Sequence, residues 1–498
     1  MAAEHLLALD AGTSAARCVI ARAGGDVVAL TRREWRYETP PEIAPFGRSF
    51  DAEAFWSIFC ALVRQALAGA GLSGEEIAAI AVTSQRLALV IVDGEGQALY
   101  AGPNIDVRAI AEGFAIDGRL AERVYTSTGK LPSLLLAPAR VHWLRKHDEA
   151  GYERAAAVLA LGDWVAYRLT GQPRGERSLA EDCGLLNVTT RERDRDLLGE
   201  LELPERLLPP LVSSGEIAGE VTTSVAEATG LAAGTPVTIA GSDTQCALLG
   251  MGVREPGEVG IVAGWSCPVQ QVTAEPRLDA ARRTWGCLHV LPERWVVESS
   301  AADAGRAWRW WCETIIGDAP DTLEQAASLA AQASAGSGDI LALLGPVAMN
   351  AGAMGVHLGG LLMTTPVNVE SVGRPQLLRA GMENIAYALR ANVDQAAEVS
   401  GLAPARIVLG GGFTRATVFP QVVAGVLGRP IEVARDAEAS ARGALMMAAH
   451  VAGFSGAGLA SPTDPIEPDA PGVEVYARQY ERWRRLGEAL DKTRQELP

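Results

Sequence analysis

The sequence predicts an α/β fold in two domains, and three observations carry that prediction. At 498 residues the chain exceeds the size at which a single hydrophobic core stops growing. Apolar runs of strand length alternate with helical patterns along most of it. A strand–turn–strand pattern at residues 6–21 returns at 259–266, so the architecture reads as duplicated.

The first of these units organises the rest. Leu6-Leu7-Ala8-Leu9 is an apolar run that stops at Asp10, turns through Gly12-Thr13-Ser14 and resumes as Cys18-Val19-Ile20-Ala21. Two short apolar runs around a Gly-containing turn form a β-hairpin. Its polar tip, with backbone N–H groups and hydroxyls, makes a nest for an anion such as phosphate. A carboxylate at Asp10 can hold hydrated Mg²⁺, which binds through one or two carboxylates together with phosphate oxygens. The plainer alternative is a surface hairpin in which Asp10 and Thr13 only satisfy turn hydrogen bonds.

Composition narrows the function. A net charge of −16 supplies no basic face for nucleic acid or an anionic membrane, while a local basic pocket for a nucleotide stays compatible with it. The seven cysteines (Cys18, Cys60, Cys183, Cys246, Cys267, Cys287, Cys312) are odd in number and lack C-x-x-C spacing. They indicate neither a disulfide framework nor a zinc site and fit a reducing cytoplasm. No basic segment followed by an apolar stretch precedes the first strand, so a cytoplasmic protein without a secretion signal is expected. Residues 340–363 are apolar, but Pro346, Asn350, His357 and several glycines interrupt them. A buried strand-and-turn segment is expected there in place of a membrane span.

Along the chain, residues 27–37 alternate like a third strand. Residues 51–68 are helical, with Asp51 as N-cap and Phe55, Phe59, Leu62 and Val63 on one face. Residues 69–74 match G-x-G-x-x-G, yet they follow a helix and precede a strand, the reverse of the dinucleotide fingerprint. They read as a helix-ending loop, and no P-loop motif occurs anywhere. Residues 77–83 form a buried strand that delivers Ser84-Gln85-Arg86 at its carboxyl end, where α/β folds place ligand contacts. Residues 87–96 begin another hairpin. In Asn104-Ile105-Asp106-Val107-Arg108, the acid and the arginine either pair with each other on the surface or face a ligand.

Helical patterns fill much of residues 109–170, including 137–146 and 163–169, the region around 176–195 is loop-rich, and 221–230 is a helix. A strand at 235–241 then ends at Ser242-Asp243-Thr244-Gln245, where a helix begins. A carboxylate opening a helix is an N-cap or, facing a cleft, a general base. Past the second hairpin, 306–313 is a helix whose tryptophans Trp308, Trp310 and Trp311 are expected mainly in the core, and 379–399 is amphipathic. A strand at 406–409 runs into Gly410-Gly411-Gly412, whose backbone can approach a flat ligand closely. Helices at 417–427 and 438–451, a linker at 453–471 and a final helix at 473–490 complete the chain. Tyr476, Tyr480 and Trp483 on that last helix should pack back on the body.

Taken together, Asp10-x-Gly12-Thr13-x-x-x-Arg17, Ser84-Gln85-Arg86, Asn104-x-Asp106-x-Arg108, Gly241-x-Asp243, Gly410-Gly411-Gly412 with Gln421, and the Tyr-rich tail resemble the FGGY carbohydrate kinases over nearly the whole chain. The order and spacing of these motifs carry the resemblance. It implies two ribonuclease-H-like domains of the actin and hexokinase type, with ATP and sugar in the cleft between them. The expected division is 1–250 and 251–455, followed by a linker and packing helix at 456–498. Within the family the first half is most similar to autoinducer-2 kinases, in Glu34-Trp35-Arg36, Thr128-Gly129 and Gly241-x-Asp243-x-Gln245, and next to xylulokinases.

The resemblance implies Asp243 as catalytic base, Asp10 as the Mg²⁺ and phosphate aspartate, and Gly12, Thr13, Ser14 and Arg17 as the first phosphate loop. It implies Gly264 and Ser266 in the second phosphate loop, Gly410, Gly411 and Gly412 at adenosine, and Gln85, Arg86, Asp106, Arg108 and Gln245 toward the sugar. Its cofactors are ATP and Mg²⁺, its partner a small sugar or polyol, and it leaves a homodimer open. Two departures stand out. The second phosphate loop usually reads Gly-Thr-Ser or Gly-Thr-Gly and here reads Gly264-Trp265-Ser266, and residues 345–363 lack the Gly-Glu-Arg-x-Pro type segment of pentulose kinases. The first motivates an alternative, a nucleotide-binding regulator or scaffold with impaired catalysis. An actin-like polymerising ATPase is disfavoured by the polar sugar-side motifs.

Overall fold

The opening hairpin forms as its sequence requires: β1 (His5–Ala11) pairs antiparallel with β2 (Ala15–Arg22), and the Gly12 N–H closes the turn on the Ala15 carbonyl at 3.1 Å. The computed structural model describes residues 4–353, 355–364 and 372–496. Around the hairpin grows a six-stranded sheet with β3 (Val27–Glu34), β4 (Ile77–Ser84), β5 (Ile217–Glu220) and β6 (Pro236–Ser242). Its order is β5-β6-β4-β1-β2-β3, with β4 parallel to both β1 and β6.

A second sheet repeats the plan. It comprises β7 (Glu258–Val262), β8 (Pro268–Thr273), β9 (Trp285–Leu288), β10 (Trp295–Ser300), β11 (Arg406–Gly410), β12 (Ile431–Ala434) and β13 (Thr463–Ile466). The order is β9-β10-β8-β7-β11-β12-β13, with β7 antiparallel to β8 and parallel to β11. An antiparallel meander leading into parallel strands thus occurs twice, which makes both halves ribonuclease-H-like.

Both faces of β1 are covered, as the unbroken apolar run Leu6 to Leu9 requires. Leu7 and Leu9 share a core with Phe55, Phe59 and Leu62 of α1 (Ala52–Ala70). Asp51 caps α1 by accepting from the Glu53 and Ala54 N–H groups. Leu6 and Ala8 face the other way, toward Cys246 and Leu249 of α2 (Asp243–Gly250) and toward Ala441, Ala444 and Leu445 of a helix far along the chain. The second core gathers Val259 and Ile261 with Met382 and Ile385 of α3 (Arg374–Ser400) and Phe419 of α4 (Val418–Leu427). The distant helix over the first sheet is α5 (Ala439–Val451), and α6 (Ala470–Glu496) docks Tyr476, Tyr480 and Trp483 into the second core.

The structure refines some local expectations and corrects others. Residues Ala155–Ala160 form a strand paired with Leu89–Asp93, because an Ala-rich run has no periodicity of its own and tertiary pairing overrides its helix propensity. The loop-rich stretch 176–195 contains the helix Arg177–Asp182, capped by the Glu176 carboxylate. Trp308 and Trp311 are buried, in keeping with a mainly core cluster, while Trp310 is 53% exposed on the outer face of its helix. Of residues 340–363, Leu341–Leu343 is a buried strand, whereas its partner Gly360–Leu362 lies largely at the surface; Met354 lies outside the described residues. The expected linker supplies β13, an edge strand antiparallel to β12. All seven cysteines are free and buried, and no helix among the described residues is long and apolar enough to cross a membrane.

Helices α2 and α5 cross at glycines. A Cβ on Gly443 would lie 1.9 Å from the Cys246 carbonyl oxygen, and one on Gly250 would lie 2.0 Å from that of Ala439. No side chain fits there without separating the helices. Gly443→Ala should therefore cost ~1–3 kcal/mol through overpacking, despite the ~1 kcal/mol that alanine brings in helix propensity. Chemical denaturation measures this, and an unchanged midpoint would show that the crossing has slack.

Candidate active site

Strands β1, β4 and β6 end at one edge of the first sheet, and the register sets the site. Asp10 pairs across with Thr83, and Thr83 with Gly241. Two strand spacings, ~10 Å, separate the backbone at Asp10 from the start of α2. The Thr83 hydroxyl donates to the Gly241 carbonyl at 2.8 Å, which ties the edge together. Asp243 is the first residue of α2, and Ser242 occupies the capping position. The Ser242 hydroxyl is turned away from the helix and donates to Asp182.

Asp10 is 1% exposed. Its Oδ2 accepts from Arg17 Nη1 at 3.2 Å and from Ser440 Oγ at 3.0 Å, while Oδ1 is buried with no hydrogen-bond partner. Arg17 also pairs through Nε with Glu438 at 2.7 Å. Burial opposes the charge on Arg17, but Asp10, Glu438 and Asp243 outweigh it and raise its pKa. Glu438 and Ser440 lie at the start of α5, so the far end of the chain braces the first hairpin. Sequence reasoning missed both; the only signal was a pair of polar residues opening an Ala-rich helix.

The hairpin tip is held from behind. Trp35 Nε1 donates to the Gly12 carbonyl at 3.0 Å, and the Tyr37 hydroxyl donates to that of Thr13. Asn104 Nδ2 donates to Thr13 Oγ1 at 3.0 Å, which leaves the Thr13 hydroxyl proton for another acceptor. Gln85 lies beneath, with Oε1 accepting from the Asn104 N–H at 3.3 Å and Nε2 reaching the Tyr37 oxygen at 3.4 Å. Gln85 thus props the hairpin tip. Ser14 is exposed at the tip.

Of the other residues expected toward the sugar, Gln245 is buried beside Asp243. Its Oε1 accepts from the Thr244 hydroxyl at 2.7 Å, and its Nε2 has no partner. Arg86 forms a two-pronged pair with Glu298 of β10, at 2.6 and 2.7 Å. Asp106 and Arg108 do pair with each other, at 2.8 Å, but in the interior and not on the surface. Asp106 also accepts from the Arg48 N–H at 2.9 Å, and the Arg108 guanidinium lies between the Tyr100 and Trp143 rings. Their mutual contacts hold both side chains in the interior.

In the second half the β7–β8 hairpin and the glycine run lie side by side. The Ala263 N–H donates to the Gly410 carbonyl at 2.7 Å. Gly411 has φ +96° and sits so close that a Cβ would be 2.6 Å from the Ala263 oxygen, so only glycine fits. Gly412 is exposed, Gly264 closes its turn on the Ser266 carbonyl at 3.1 Å, and Trp265 is 45% exposed.

Comparison with known proteins agrees with this architecture. The family model for the FGGY carbohydrate kinases, N-terminal domain, matches residues 5–250, and that for the C-terminal domain matches residues 259–452. The chain belongs to the FGGY family of carbohydrate kinases, which makes it an ATP-dependent sugar kinase. It is similar to the autoinducer-2 kinase of Escherichia coli (strain K12), 30% identical over 502 residues that cover 96% of this chain and 93% of that one. Likeness to the autoinducer-2 kinase of Klebsiella pneumoniae is 30% over 506 residues, covering 97% and 93%. Among solved structures, xylulose kinase from Rhodospirillum rubrum superposes with a TM-score of 0.86 at 26% identity, covering 98% of this chain and 99% of that one. Plasmodium falciparum glycerol kinase with ADP shares the fold, with a TM-score of 0.83 at 16% identity and 98% of both chains covered.

Burial pushes the Asp243 carboxyl up to about 7; Asp10 adds to the rise, and Arg86 opposes it. A raised carboxyl pKa makes the folded state the better proton binder. The folded state therefore loses stability as pH rises from about 4, where an unfolded aspartate ionises, to about 7, and the full cost persists above that. Asp243→Asn removes the cost, so its gain in melting temperature over wild type should grow between pH 4 and 7 and then level off. A pH-independent difference would mean that Asp243 ionises as an ordinary surface carboxylate.

Proposed function

We propose that the protein transfers the γ-phosphate of ATP to a hydroxyl of a small keto-sugar or polyol, with Asp243 accepting the hydroxyl proton. The observation that carries this reading is the pair of carboxylates at one sheet edge, Asp10 with an unpartnered buried oxygen and Asp243 with a pKa raised toward neutrality. A base poised near the working pH is what proton removal from an attacking alcohol needs. Phosphoryl transfer leaves little covalent chemistry to the protein, so alignment and charge neutralisation dominate.

The unpartnered Oδ1 of Asp10 fits a water of hydrated Mg²⁺, and when bound the ion would neutralise charge on the phosphates. The Thr13 hydroxyl and the Ser14 tip would hold phosphate oxygens from one side, and Gly264 and Ser266 from the other. Gly410, Gly411 and Gly412 would take the adenosine. Gln245, with its free amide, and Arg86 would orient the acceptor, while Gln85 supports the hairpin and Asp106 with Arg108 shape the wall. Closure of the halves would exclude water and so suppress hydrolysis of ATP without acceptor. Similarity to autoinducer-2 kinases and to a xylulose kinase favours the autoinducer-2 precursor or a pentulose as acceptor, and the buried free thiols fit a cytoplasmic enzyme.

Trp265, in place of a hydroxyl residue, favours a second reading, a nucleotide-binding regulator of the same fold. ADP release across a panel of D-xylulose, D-ribulose, glycerol and the autoinducer-2 precursor separates the two: turnover of any member supports the kinase, and ATP binding with no turnover supports the regulator.

Asp243→Ala should lower kcat for acceptor-dependent ADP release by about 10²–10⁴-fold while Mg·ADP affinity stays within about twofold. Substantial residual turnover would remove Asp243 from the role of base. Asp10→Asn should instead raise the Mg²⁺ concentration needed for half-maximal rate, measured by magnesium titration at fixed ATP; an unchanged requirement would place the metal elsewhere.

A further inference from the structure

We infer that Glu298 is a positioning residue for this kinase: it reaches from the second half to fix the Arg86 guanidinium on the acceptor side of Asp243, and so straps the two halves together at the site. The inference rests on the proposed kinase reading for the role of Arg86 toward the acceptor. The strap itself rests on geometry alone.

Arg86 follows β4 of the first sheet, but nearly everything that grips its side chain comes from the second. Both prongs of the guanidinium bond Glu298 on β10 at 2.6 and 2.7 Å. Its carbon lies 5.4 Å from the ring centroid of Trp285 on β9. Glu298 is 0% exposed, and Gln270 Nε2 of β8 donates to the same Oε2 at 2.7 Å, so the carboxylate is itself held rigidly. From the first half the Asp182 carboxylate stands near, 3.8 Å away. That carboxylate accepts from Ser242, the residue immediately before Asp243.

A planar two-pronged pair restricts the guanidinium in direction as well as distance. Charge attraction from Arg86 also opposes the rise in the Asp243 pKa, which places the two groups within electrostatic reach of each other. Arg86 is therefore set by the second half and acts next to the first half's base. The acceptor side of the site is complete only when Glu298 of the second half meets Arg86.

The test uses the full-length enzyme and the near-isosteric Glu298→Gln, which keeps the volume and a bond to Gln270 while weakening the hold on Arg86. With D-xylulose, D-ribulose, glycerol and the autoinducer-2 precursor as probes, acceptor KM should rise by about tenfold or more while KM for ATP stays within about twofold. The radius of gyration from small-angle scattering should increase, and Glu298→Asp, which retains the charge, should fall between wild type and Glu298→Gln in both measures. If Glu298→Gln does not fold, Glu298→Asp alone carries the test with the same expected direction. An unchanged acceptor KM overturns the positioning role, and an unchanged radius of gyration overturns the strap. Should wild type phosphorylate none of the four probes, the kinase reading falls and the scattering result decides the strap by itself.

Discussion

The structure depends on balancing charge where water is scarce. Asp10, Glu181, Asp182 and Glu298 are each at most 1% exposed, and a buried carboxylate is costly unless paired and hydrogen-bonded. Lys130, itself fully buried, answers Glu181 at 2.5 Å and Asp182 at 3.4 Å, and Arg86 answers Glu298. Two cations thus face three acids, and burial pushes the Glu181 carboxyl upward so that a proton can make up the difference. Glu181, Asp182 and Cys287 do bring ligand atoms within 4.8 Å of one another. The Lys130 ammonium, bonded also to the Cys287 sulfur at 3.2 Å, already supplies the positive charge that a metal would bring there. At the other end Asp10, Glu438 and Asp243 all act on Arg17, and Arg86 acts on Asp243 as well.

This balance uses groups from both ends of the chain, so the site cannot be assembled by the first half alone. Ser440 and Glu438 reach Asp10 and Arg17 only because α5 lies across the first sheet, and α5 lies there only because Gly443 and Gly250 let it cross α2 at backbone contact. The same α2 begins with Asp243. One helix crossing therefore fixes Asp243 at the start of α2, the brace of the first hairpin and the packing of α5 on the first sheet. Residues on rigid, well-packed elements hold tighter geometry than residues on loops.

The elements most legible in the sequence were those whose own pattern suffices. The opening hairpin, α1 with its Asp51 cap and the strand leading to Asp243 could be read directly because local periodicity and turn chemistry specify them. The edge strand Thr463–Ile466 could not, since a Pro- and Asp-containing stretch becomes a strand only when β12 is there to pair with. The strand Ala155–Ala160 and the exposure of Trp310 were hidden for the same reason: both are decided by neighbours far away in sequence. Site residues followed the same division. Asp10, Thr13 and Asp243 sit in readable local motifs, whereas Ser440, Glu438 and Glu298 contribute through partners more than 200 residues away.

Trp265 brings these arguments to bear on the choice between kinase and regulator. What a phosphate requires from a hairpin tip is chiefly backbone N–H groups and a fixed turn, and neither depends on the side chain at the centre of the turn. The turn is fixed: Gly264 closes on Ser266, and the Trp265 carbonyl accepts from the Gly305 N–H at 2.8 Å, at the start of the helix Ala304–Ile316. Its indole is 45% exposed, so the ring adds bulk at the surface while the backbone stays anchored, and Ser266 still offers a hydroxyl one residue on. The substitution removes one donor from the second hairpin and leaves the carboxylate edge of the first sheet untouched. A regulator that had abandoned catalysis would have no need to hold Asp243 near neutrality beside a carboxylate with an open oxygen, and that arrangement weighs toward the kinase.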